Sequence, residues 1–151
     1  MLITDHFSLS EFVDNETANR RKIDNNPPAN AIVRIVNLCT LLLEPLRVKF
    51  GAPIHIATGY VSPELSKYVG VDADSPHLHG EAVNICADSA SDNMRLFHLI
   101  REIGYFDELV CEGYDSRTCN CDYVHVSLRM DGVNHRRSMV RYKGRKGCFA
   151  W

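Results

Sequence analysis

The residues of this chain whose spacing could do chemistry are His77, Asn84 and His125. His77 lies in the segment SPHLHGEAVN, residues 75 to 84, where Gly80 permits a sharp turn and a short alternating run follows. Ala82, Asn84 and Cys86 share one face of that run. Tyr123, His125 and Ser127 share one face of a second run, Tyr123 to Leu128. If the two runs are neighbouring strands, His125 meets Asn84 across the sheet and His77 folds over the same spot, with Ala82 leaving room beneath. Asp122, three residues before His125, then stands at the strand entrance within reach of a bound water. A catalytic zinc uses about three protein ligands and one open position, and two imidazoles with a carboxylate are a common set. Such a metal lowers the pKa of bound water to roughly 7, and a nearby carboxylate removes its proton. Polarisation of a substrate carbonyl completes the requirements of peptide hydrolysis. The same residue types also suit an ordinary polar sheet face, and spacing leaves both readings open. His79 reads as a loop residue rather than a ligand, His55 and His98 as surface or structural, and Glu112 as a solvent-facing strand end.

These side chains need a scaffold, and hydrophobic periodicity predicts one. Ser8 with Glu11 forms a capping box for a short first helix. A long helix follows from about Asn30 to Phe50, with Ile35, Cys39, Leu42, Leu46 and Phe50 in three/four spacing and a kink expected at Pro45. Strands are predicted over residues 53–57, 81–86, 106–111, 123–128 and 138–142. Short helices are predicted after Pro63 and from Ser89 or Ser91 to Ile103. Helices lie before and between short strands, with hairpin-like connections late. The pattern predicts an α+β fold, a small, mostly antiparallel sheet with helices packed on one face.

The chain has 151 residues, 45% hydrophobic and 24% charged, which predicts one globular domain over 1–151. Its net charge of −2 makes nucleic acid an unfavoured partner. After Asp131 every charged side chain is basic, so a basic C-terminal segment begins near residue 134. It reads as a solvated tail, or as a patch for an anionic polymer. Six cysteines accompany a start, MLITDHFSLSEF, that has no basic region followed by an apolar run. The expectation is free thiols and a protein that stays in the cytoplasm of the producing cell, with no membrane span. Cys119 and Cys121 lie in a polar loop where a second metal site with Cys111 is conceivable, although their spacing is not that of a zinc ribbon.

The motifs together resemble a known family. SPHLHGEAVN resembles the S-x-H-x-x-G-x-A-x-D motif of zinc D-Ala-D-Ala carboxypeptidases, which include D,D-dipeptidases and bacteriophage L-alanyl-D-glutamate endolysins. YVHVS, residues 123 to 127, resembles the second motif, usually W-V-H-V-S. HFSLSEF (6–12), EPLR (44–47), TGYVSP (58–63) and FDELV (106–110) look like phage- and virus-encoded members, so the resemblance reaches about Leu128. It implies a hedgehog/DD-peptidase-like fold, with zinc held by His77, residue 84 and His125. It implies Asp122 as catalytic acid/base, with Glu112 a second candidate, and Ser75 and Tyr60 at the substrate. The substrates implied are D-amino-acid-containing peptides of bacterial peptidoglycan, and a phage-type member would be released by lysis.

Two positions depart from the family pattern. The ligand aspartate is Asn84, and the usual S-G-Y-R-S segment reads T-G-Y-V-S, with Val61 in place of the arginine that binds substrate or stabilises the oxyanion. An amide oxygen can ligate but brings no charge to a dication. Both changes point towards weak activity, with Asp122 or Glu112 available as a replacement ligand. The alternative is a catalytically inactive member that binds peptidoglycan or a protein partner; the hedgehog signalling domain is an analogy for such drift.

Overall fold

The long apolar pattern becomes the floor of the fold. In the structure, a computed structural model describing residues 1–151, helix α3 (Ala29–Leu38) widens into a π turn (Cys39–Leu43) and continues as α4 (Glu44–Phe50). The N–H of Glu44 reaches back five residues to the Cys39 carbonyl. The ladder therefore changes register just before Pro45, which cannot donate a bond of its own. The kink expected at Pro45 is expressed as this π turn. Leu38, Cys39, Leu42, Leu43 and Leu46 along it are all 0% exposed. Burial of each leucine contributes roughly 1.5–3 kcal/mol.

Helix ends follow local chemistry. α1 (Leu9–Val13) carries the expected capping box, and α5 (Pro63–Val69) starts with Ser62 accepting from the Leu65 N–H. α6 (Ala90–Ile103) is capped by Ser89 and stops at Gly104. α2 (Glu16–Arg21), capped by the side chain of Asn15, has no counterpart in the sequence reading.

Six strands form one sheet: β1 (His55–Thr58), β2 (Ala82–Cys86), β3 (Glu108–Tyr114), β4 (Tyr123–Ser127), β5 (Arg137–Tyr142) and β6 (Phe149–Ala150). Their order is β1-β2-β4-β3-β5-β6. All pairings are antiparallel except β3 with β5, so the α+β, mostly antiparallel architecture is as expected. The late hairpin-like connections are present from β3 to β4 and from β5 to β6, but the step from β4 to β5 is not one. β4 is flanked on both sides by β2 and β3, so the chain returns to the free edge of β3 and enters parallel to it. β3 also starts two residues later than predicted and runs on to Tyr114, which places Glu112 inside the strand. β6 then covers β5, and Trp151 packs 4.8 Å from the Phe97 ring.

The pleat sorts the side chains into two chemistries. Val83, Ile85, Leu109, Cys111, Val124, Val126 and Val140 enter a 26-residue core cluster shared with α3, α4 and α6. The other face carries Asn84, Glu108, Val110, Glu112, His125, Met139 and Arg141, set side by side by the register. No helix is long and apolar enough to cross a membrane.

One glycine joins the two layers. Gly80 follows a 3-10 turn (Pro76–His79) at φ +75°, and a Cβ there would come 2.5 Å from the Ala31 carbonyl oxygen on α3. Gly80→Ala is expected to cost about 2–4 kcal/mol from the left-handed backbone and the clash with main chain. Urea unfolding would show this as a lowered midpoint at unchanged slope. A loss under about 0.5 kcal/mol would mean that α3 yields to the added methyl.

Candidate metal centre and active-site cleft

His77 is held from three sides. Ser75 caps the 3-10 turn by accepting from the His77 N–H at 3.3 Å, and Pro76 opens the turn. The His77 carbonyl accepts from the Val61 N–H at 3.2 Å. The ring, 4% exposed, donates Nδ1–H to the Gly59 carbonyl at 2.8 Å. This bond fixes the tautomer and leaves Nε2 as the bare nitrogen. Gly59 is itself fixed by a close approach, since a Cβ there would lie 2.5 Å from Cα of Phe12. The adjoining Tyr60 N–H bonds the Phe12 carbonyl at 2.7 Å.

Asn84 and His125 face each other across β2 and β4 as expected. His125 donates Nδ1–H to Asn84 Oδ1 at 2.8 Å, and the Asn84 side chain also lies close enough to His77 to influence its protonation. The two imidazole centroids are 5.2 Å apart. His77, Asn84 and His125 therefore converge, with the amide between the rings. Burial is the largest influence on both imidazoles and disfavours their charged forms. His77 is held below the ordinary histidine range, its bond to Gly59 and the nearby Asn84 side chain opposing the shift. His125 keeps part of its surface in a cleft but is closely ringed by protein. Burial, with His77 and Arg141 adding to it, pushes it down to about 3.

Two neutral imidazoles and an amide oxygen are donor types that a zinc site uses, although here the His125 nitrogen facing Asn84 carries its proton and the amide oxygen accepts it. The charge requirement is less well met. No group of three or more His, Cys, Asp or Glu side chains that could hold a metal forms in the chain, and the third member of this cluster is an amide.

A cleft of about 530 Å³ opens beside His125, lined among others by Ser75, Glu112, Arg141 and Cys148. Glu112 shares the sheet face of His125 and donates nothing, accepting from Arg141 Nε at 3.0 Å. Asp122 faces elsewhere. It lies against Gly113, with Lys143 Nζ 3.4 Å from its Oδ1, and lines a separate cavity. Tyr60 is 4% exposed in the core cluster and does not line the His125 cleft. His79, the last residue of the turn, is exposed. Cys121 is buried and Cys119 exposed, and all six cysteines are unpaired.

Val61 is 0% exposed in a small apolar cluster with Ala18 and Leu65. An arginine there would need a charged head in a dry pocket, so the departure at this position matches its surroundings. The basic C-terminal segment is partly compensated, because Arg137 pairs with Glu108 at 2.6 Å and Arg141 with Glu112.

Two buried amides escaped the sequence reading. Asn25 donates to the Val13 and Tyr60 carbonyls and accepts from the Ser62 N–H, bracing the segment that receives His77. Asn93 accepts from the Ala87 N–H and donates to the Cys121 and Asp122 carbonyls, bracing the approach to β4. Asn25 was visible only as part of a chain-breaking Asn/Pro run, and Asn93 only as a polar position within a helix.

Residues 5–127 match the family described as Peptidase M15. No curated protein matches the chain. The match ends with β4, so β5 and β6 lie beyond it.

The depressed pKa of His125 has a direct spectroscopic consequence. At pH 5 its ring nitrogens are expected to keep the 15N shifts of a neutral imidazole with the proton on Nδ1. An imidazolium signature for His125 at that pH would show that water reaches the ring freely.

Proposed function

The chain belongs to the peptidase M15 family, and on that premise we propose that it is a zinc-dependent peptidase acting on D-amino-acid-containing peptides of bacterial peptidoglycan, with a metal centre weakened by Asn84. The observation that carries this reading is the convergence of His77, Asn84 and His125 beside an open cleft. His77 would offer Nε2, Asn84 its amide oxygen and His125 a ring nitrogen. Bound zinc would supply Lewis-acid polarisation of the scissile carbonyl and a water of lowered pKa.

The protein's own residues divide the remaining work. The Gly59 carbonyl keeps the His77 proton on Nδ1, away from the convergence point. Burial keeps both imidazoles unprotonated, as ligation requires. Glu112 is the carboxylate on the same sheet face as His125, so it takes the acid/base role in this reading. Asp122 is assigned no contact with the reacting atoms. Ser75 serves the turn that carries His77 and borders the cleft.

A second reading is favoured by the amide itself. An asparagine both donates and accepts, so it can bridge two neutral imidazoles without a metal. An aspartate can only accept. Asn84 bonds the His125 ring and lies beside that of His77, an arrangement that suits a peptidoglycan-binding member that holds its site together without zinc.

Equilibrium zinc binding separates the two. Under the peptidase reading the wild-type protein binds zinc, His125→Ala abolishes binding, and Asn84→Asp tightens it by at least about 10–100-fold. No binding by the wild-type protein at millimolar zinc, with Asn84→Asp no better, sinks it. In digestion of purified peptidoglycan, Glu112→Gln is expected to lower the rate about 10²–10⁴-fold, with Asp122→Asn below about tenfold. The reverse order would return the acid/base role to Asp122.

A further inference from the structure

The charged lining of the cleft is lopsided. Asp72, Asp74, Glu108 and Glu112 bring four carboxylates, and Arg141 brings the one cation. Arg141 stands on β5, beyond the last residue of the family match. The family's usual arginine position is occupied by Val61, which is buried among apolar side chains. Within the cleft, then, an anionic group of a substrate has a single favourable place to lie.

Arg141 is equipped to hold such a group. Its side chain is 47% exposed, while that of Glu112 is 13% exposed. Nε–H donates to Glu112 Oε2 at 3.0 Å, and this is the only hydrogen bond its side chain makes. The guanidinium carries five N–H donors in a rigid fork, so both Nη groups remain for a ligand, and a carboxylate matches that fork. Arg137, two residues earlier on the same strand, differs: its terminal Nη2 is already taken by Glu108 at 2.6 Å.

We propose that Arg141 is the substrate-carboxylate-binding residue of this cleft, and that a peptide carboxylate on its Nη groups draws the guanidinium from Glu112 and frees that side chain to accept a proton. The pair is thus a substrate-operated latch. It holds Glu112 in place in the empty cleft and opens when an anionic peptide arrives. This inference rests on the peptidase reading for the identity of Glu112 as the proton acceptor.

The test uses the full-length, zinc-loaded protein and three synthetic probes. They are the stem peptide L-Ala-γ-D-Glu-L-Lys-D-Ala-D-Ala, its C-terminal amide, and its form amidated at the D-Glu α-carboxylate. Affinity is read by calorimetry and turnover by product release. The wild-type protein is expected to bind the unmodified peptide about tenfold or more better than one of the two amides. Arg141→Gln should bind that pair alike, with KM raised and the preference gone, and Arg141→Lys should keep part of the preference. Arg145→Gln, which removes the same charge outside this cleft, should behave as wild type. Thermal melting confirms that each variant is folded. If Arg141→Gln keeps the preference, or if the wild-type protein binds all three peptides alike, the inference is overturned while the peptidase reading stands. If the wild-type protein neither binds nor cleaves any of the peptides, the peptidase reading falls and this inference with it.

Discussion

Two imidazoles can share a dry pocket only if both stay neutral and each N–H has an acceptor. His77 and His125 meet that condition at a centroid separation of 5.2 Å. The Gly59 carbonyl takes the proton of one ring and Asn84 Oδ1 that of the other. Much of the surrounding architecture serves these two bonds. The 3-10 turn after Ser75 aims His77 inward, Gly80 lets that turn lie against α3, and the backbone of Phe12 holds Gly59 in place. A buried polar cluster with every member satisfied specifies one arrangement, whereas one missing partner would leave a costly orphan.

The sheet separates stability from chemistry. Its apolar face packs on α3, α4 and α6 and includes the fully buried Val83, Ile85, Val124 and Val126. Its other face supplies the cleft. Because the pleat alternates, Asn84 and His125 sit between the very residues that anchor the core, and a slip of one residue would exchange the two sets. The π turn before Pro45 belongs to the same logic. It keeps a long helix in contact with the sheet past a residue that would otherwise interrupt it.

Charge in the cleft has moved relative to the family pattern. The position after Gly59-Tyr60 carries an apolar side chain in an apolar cluster, and residue 84, facing His125, carries an amide. A guanidinium and a carboxylate enter instead from adjacent parallel strands, Arg141 on β5 and Glu112 on β3. Their pairing in the open cleft is worth little to stability, since exposed ion pairs contribute about 0–1 kcal/mol. Its interest is positional: it puts a guanidinium and a carboxylate in the cleft that His125 lines.

The sequence by itself determined the residue faces and the motif positions. Strict alternation placed Asn84 and His125 on the polar side of their strands, three/four spacing marked the core helix, and the Ser8/Glu11 pair marked a helix start, because each depends on neighbours a few residues away. What depends on partners distant in the chain was decided only by the tertiary structure. The parallel entry of β5 followed from which sheet edge was free, and that placed Arg141 opposite Glu112. Asp122 was the first acid/base candidate in the sequence and Glu112 the second, and strand register put only Glu112 in the cleft with His125. Tyr60 and Val61 adjoin a motif yet face the interior, and Asn25 and Asn93 brace loops whose carbonyls lie 12 to 35 residues away. Local periodicity tells a side chain which way to point; only the packed chain decides what it meets there.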